Sequence, residues 1–279
     1  MKHTNLYHFC LLIIAGLGAA KSNAQVTLSP TALFIKDQTN VSSLYVTNNS
    51  QVAQEIGVSF EFAYPGSDPQ GNMVTVTNDS VSSIRYGLTS NLRAFPRQFV
   101  LQPGSQQTIR VQVPPMQGSD GVYWTRLILS SQAAAKDLDT VRVTQGIGTK
   151  INYVLKQNIP VFYLKGKVTT GLTVDKVTTS VEKNKLIAVS KLKPIGNSPF
   201  NGSVTAILRD SAGKEVAVQQ QTIVAYFEVL RRIELSLPSG IAPGKYSLEL
   251  TYETKRGDIS SDDLVQAKPV KSNTVVELK

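Results

Sequence analysis

From Gln25 onward, apolar residues recur at a period near two, and turn residues interrupt the runs at short intervals. Successive side chains of a strand point to opposite faces, so this spacing predicts half-buried strands, and many short ones predict an all-β sandwich or barrel. In the first half the predicted strands cover residues 26–29, 33–36, 42–48, 55–64, 98–101, 106–113, 122–130 and 150–164. No stretch has a helical period.

Two turns fix the register of this half. Leu101-Gln102-Pro103-Gly104 carries Pro and Gly where a tight turn prefers them, directly before the alternating run Thr108 to Val113. Ser119-Asp120-Gly121 opens the next strand, which puts Val122, Trp124, Arg126 and Ile128 on one face and Tyr123, Thr125, Leu127 and Leu129 on the other. Neither face is purely apolar, so the pattern leaves open which one packs inward; Trp124 reads as a core or domain-contact residue.

The short polar stretch Lys165-Gly166-Lys167 reads as a flexible link, and a second series of strands follows at 172–178, 185–192, 202–209, 216–224, 231–237 and 245–253. Turns spaced by about 8–12 residues fit a Greek-key sandwich. The expected organisation is therefore two immunoglobulin-like sandwiches, residues 25–164 and 165–262. For residues 263–279 both a mobile tail and an added edge strand fit. Residues 65–93 form a long connection with turn pairs and the alternating piece Met73-Val74-Thr75-Val76, read as a hairpin extending one sheet.

Residues 1–24 read as a cleaved export signal. A basic start at Lys2 precedes an apolar run at 9–17, too short for the roughly 20 residues a membrane span needs, and Ser22 and Ala24 sit at −3 and −1 of a cleavage site. No later stretch reaches membrane-spanning length. The single cysteine, Cys10, and both histidines, His3 and His8, leave with the signal. The expected mature chain then has no disulfide, no Ser-His-Asp or Cys-His site and no His- or Cys-ligated zinc, so neither catalysis nor a cofactor or metal is expected. The 29 basic against 20 acidic residues are dispersed, which is a solvated surface rather than a nucleic-acid footprint.

Residues 147–163 place large apolar side chains mainly at odd positions and polar ones mainly at even positions. Two uses fit. The stripe can pack into its own core, or it can be lent to an incomplete neighbouring sheet by strand addition.

Several runs together, Val26-Thr-Leu-Ser-Pro-Thr-Ala-Leu-Phe-Ile35, Tyr45-Val-Thr-Asn-Asn-Ser50, Phe95-Pro-Arg-Gln-Phe-Val-Leu-Gln-Pro-Gly104, Thr108-Ile-Arg-Val111, Tyr123-Trp124 and Ile159-Pro-Val-Phe-Tyr163, resemble the PapD-like periplasmic chaperones of fimbrial assembly. The resemblance covers nearly all of the first predicted domain; in the second, Gly196-Asn197 and Pro243-Gly-Lys-Tyr246 are the landmarks. It implies a periplasmic boomerang of two immunoglobulin-like domains that binds pilus subunits lacking their last strand, with an outer-membrane usher as a further partner. The donated side chains would be Ile151, Tyr153 and Leu155, extended by Ile147, and residues 133–146 would be the loop leading into the strand. The family's two carboxylate-anchoring positions hold Ala32 and Pro160, neither of which can pair with a carboxylate, and Lys156 is the candidate substitute. The expected function is chaperone-like binding of pilus or fimbrial subunits, or other exported β-proteins, through 147–163. A structural or adhesive envelope scaffold that reuses the sandwich pair is the alternative.

Overall fold

A computed structural model describes residues 25–134 and 153–278. The export signal read at 1–24 lies outside them. Two sheets face one another in the first sandwich. One runs β1 (Val26–Ser29), β3 (Val41–Asn48), β9 (Gln106–Gln112), β7 (Arg93–Phe95), and the other β2 (Leu33–Lys36), β11 (Leu155–Lys165), β10 (Gly121–Ala133), β4 (Gln54–Glu61), β8 (Gln98–Leu101). Leu44, Val46, Ile109 and Val111 from the first sheet meet Leu33, Ile35, Leu127, Leu129 and Val161 from the second, all fully buried. The second sandwich packs β12 (Thr170–Glu182), β13 (Lys185–Gly196) and β16 (Val229–Ser236) against β15 (Glu215–Ala225), β14 (Phe200–Arg209), β17 (Gly244–Glu253) and β18 (Val270–Leu278). The architecture is all-β, two immunoglobulin-like sandwiches. Within the stretch 263–279, β18 pairs along β17 and buries Val276 and Leu278, which is the added-edge-strand reading.

The two faces of β10 are both used. Leu127 and Leu129 enter the sandwich core, while Val122 and Trp124 pack with Phe62, Phe162 and Tyr226 in an aromatic cluster between the sandwiches. This is why neither face read as the solvent side. Residues 165–167 are pinned rather than flexible. Gly166 N–H donates to Asp37 Oδ2 (2.7 Å) and Lys167 N–H to Asp120 Oδ2 (2.9 Å), while the Asn197 side-chain amide donates to the carbonyls of Asp120 and Lys167. Gly166 has φ +59°, and a Cβ there would collide with the Asp120 carboxylate.

The long connection departs from its sequence reading in two ways. It does form a hairpin, β5 (Tyr64–Ser67) with β6 (Met73–Val76), but as a separate two-stranded ribbon instead of an extension of a sheet. Its tip docks on β16, the edge strand of its own sheet. Gly71 O accepts the Arg232 N–H (2.9 Å) and Ser67 Oγ accepts the Leu230 N–H (3.0 Å). A short helix, α1 (Ser80–Tyr86), follows, where no helix was expected. Asp79 caps it by accepting the Ser82 N–H at Oδ1 (2.9 Å) and the Tyr64 hydroxyl at Oδ2 (2.6 Å). Burial, reinforced by that carboxylate, pushes the Tyr64 phenol up to about 12. None of the helix residues is buried, so it carries no apolar stripe that a periodicity could reveal.

Arg231 fastens this ribbon to the second sandwich. Its guanidinium is buried, donates to Gly66 O (3.2 Å) and Val224 O (2.9 Å), and is held below its ordinary pKa by desolvation. Replacing Arg231 by Ala strands two carbonyls and leaves a void, so urea unfolding should register a loss of about 2–4 kcal/mol. Arg231→Lys should not restore it, because a single ammonium does not reproduce the planar fork.

Candidate functional site

Strand β11 lies between β10 and β2, and its register fixes which side chains face where. Ile159 stands opposite Leu127, Gln157 opposite Leu129 and Leu155 opposite Ser131, so the odd positions point toward the sandwich interior. Along this one face the stripe changes character. Ile159, Val161 and Tyr163 are buried in the first core, where burial also raises the Tyr163 phenol pKa and its hydroxyl donates to Asn40 Oδ1 (3.1 Å). Leu155 is 46% exposed and Tyr153 78% exposed, beyond the end of that core. Of the four donor positions expected from the sequence, Tyr153 and Leu155 are thus presented to solvent, and Ile147 and Ile151 lie outside the described residues.

The backbone beside these side chains is open. β2 pairs in parallel with β11 only at Val161–Leu164, so among the described residues no strand flanks positions 155–160 on that side. On the interior face, Gln157 Nε2 donates to Val26 O of β1 in the facing sheet (3.1 Å). β2 is short because the chain leaves β1 for the facing sheet immediately before it. An unpaired edge joined to two exposed large apolar side chains is the arrangement that accepts an additional strand.

The even face of β11 looks outward and toward the waist. Leu33 beside Val161 brings buried Ala32 next to Pro160, above an aromatic floor in which Phe34 and Phe162 stack at 5.0 Å. Thr31, adjoining Ala32, donates to Asp258 Oδ2 (3.1 Å), and Arg256 clasps the same carboxylate. Lys156 is exposed and shares this face, but sits four residues along the strand from Pro160, roughly 13 Å away. Arg126 is much closer. It stands directly opposite Pro160 on β10, forms no ion pair among the described residues, and together with Arg256 opposes the upward pKa shift that burial imposes on the Tyr226 phenol. The sequence put Arg126 on the same face as Trp124; only the register brings it beside Pro160.

No cluster of His, Cys, Asp or Glu that could hold a metal ion occurs among the described residues, and no helix among them is long and apolar enough to cross a membrane. No protein-family model and no curated protein matches the chain. Solved structures do resemble it. The YadV chaperone shares 12% identity over 91% of this chain and 100% of that one, with a TM-score of 0.45. The SafB chaperone, in complex with the SafA pilin of Salmonella enterica, shares 13% over 91% and 98%, with a TM-score of 0.44. The chaperone DraB of E. coli shares 13% over 91% and 96%, with a TM-score of 0.41.

Proposed function

We propose that the protein is a periplasmic, chaperone-like binder of incomplete β-sandwich proteins, of the pilus or fimbrial subunit kind, and that it is not an enzyme. The observation that carries this reading is the division of β11. One half of its apolar stripe belongs to the protein's own core, and the other half, Tyr153 and Leu155, projects beside an edge that no strand covers among the described residues. Ile147 and Ile151 continue the same alternation and extend the donated set. A partner lacking one strand exposes a groove and an unpaired edge of its own, and a single lent strand covers both without an energy source. Arg126 serves as the anchor for the partner's terminal carboxylate, in preference to Lys156, because it lies at the level of Pro160. Export through the signal at 1–24 and delivery to an outer-membrane usher complete the reading.

The test uses two forms of one candidate subunit, its natural form and a form completed by its own grafted donor strand. The protein should form a 1:1 complex with the first and none with the second. Arg126→Ala should weaken the complex by about tenfold or more, the loss of one charge-assisted contact, while Lys156→Ala leaves it unchanged. Equal binding of both subunit forms overturns strand donation, and self-association without subunit binding favours the envelope scaffold.

A further inference from the structure

A second concave site lies at the waist, away from the open edge of β11. It is a cavity of about 460 Å³ between the sandwiches, walled by Tyr86, Trp124, Tyr226 and Phe227. Tyr86 stacks on Trp124 (4.7 Å between ring centres, 17° between planes), and the Arg85 guanidinium lies over the Tyr86 ring at 5.2 Å. Its volume and aromatic walls are those of a small-molecule site at a domain interface.

The polar groups around it decide what could enter. The acceptors there hold partners within the fold, although the Asp120 carboxylate has only a backbone N–H and no ion pair among the described residues. Asp120 receives the Lys167 N–H, Glu228 is paired with Lys191 at 2.8 Å, Asn197 Oδ1 receives the Thr169 N–H (2.8 Å), and Ser119 O receives the Tyr123 hydroxyl (3.0 Å). Arg85 and Lys193 line the cavity and make no ion pair among the described residues. Trp124, only 3% exposed, has an indole Nε1–H with no acceptor among the described residues, but that atom is closed off from the cavity, so the ring and not the N–H forms the wall. Aromatic walls and two cations without ion pairs define a host for a molecule with an apolar body and a negatively charged end.

We infer that this waist cavity binds a small organic acid, its aromatic or aliphatic body against Trp124, Tyr226 and Phe227 and its carboxylate toward Arg85 and Lys193. The site is independent of strand donation and stands whether or not β11 binds a subunit.

Trp124 is the only tryptophan of the chain, so its emission reports on this cavity alone. The probe is 4-phenylbutyrate, with 4-phenylbutanol as its uncharged counterpart. The acid should change Trp124 emission saturably with a Kd of about 1 mM or tighter, and the alcohol should bind about tenfold more weakly. Arg85 and Lys193 are exposed, so the double variant Arg85→Gln/Lys193→Gln should keep its thermal midpoint and bind the acid no better than the alcohol. Absence of a saturable change, equal affinity for acid and alcohol, or an unaltered Kd in the folded double variant each overturns the assignment.

Discussion

Replacing Tyr153 and Leu155 together by Ser should lower the affinity for an incomplete subunit by about 100-fold or more, while leaving the unfolding transition of the free protein unchanged. Tyr153 is largely in water and Leu155 is close to half exposed in the free protein, so the free fold loses little when they shrink. In a complex each would be buried in the partner's groove, where a large apolar side chain contributes about 1.5–3 kcal/mol. Losing two such contributions corresponds to at least two decades in Kd. Ile159→Ser supplies the contrast. It lies on the same face four residues along, but it is buried against the protein's own core. That substitution should destabilise the first sandwich itself by about 2–5 kcal/mol, an effect visible without any partner. If the double serine variant binds subunits as tightly as the parent, the exposed half of the stripe is not the donated element. Isothermal titration and urea unfolding on the same preparations separate the two outcomes.

How much of this was legible in the residues follows from what a one-dimensional pattern contains. Strands such as β1, β2 and β8 match their expected limits because alternation and turn residues are local properties. The division of the β11 stripe was not legible, since Leu155 and Ile159 are equivalent in a period of two, and only the length of the sandwich around them decides which is covered. β10 was ambiguous for a different reason. Its first half has a sandwich core on one side and a second sandwich on the other, so both faces carry apolar residues. Helix α1 escaped because its stability rests on the Asp79 cap and on Tyr64, with nothing buried along its length. A capping side chain ahead of Ser80 was the one available signal. The link at 165–167 looked flexible from its composition, yet the residues that hold it, Asp37 and Asp120, are distant in sequence. Arg126 was placed correctly on its strand face, but its relation to Pro160 is a matter of register between strands, which alternation alone does not set.

The waist raises the second large expectation. Trp124→Ala should cost about 3–5 kcal/mol, the range for emptying a large aromatic from a packed site. Trp124 packs against Tyr86 at 4.7 Å, Tyr226 at 4.9 Å, and Phe62 and Phe227 at 6.0 Å, so its removal leaves rings from both sandwiches facing a void. Tyr226 and Phe227 come from the second sandwich, Phe62 and Trp124 from the first, and the ring is therefore a hub of the coupling between them. Calorimetry should accordingly change in kind as well as in position. A single cooperative transition in the parent should separate into two in Trp124→Ala, as each sandwich unfolds around its own core. Trp124→Phe should be far milder. It keeps most of the ring contacts, and it deletes an indole N–H that has no acceptor among the described residues, so no hydrogen bond is lost with it. A Phe variant as unstable as the Ala variant would mean that the N–H is satisfied in solution, and that the waist owes its stability to that bond rather than to the packing of its rings.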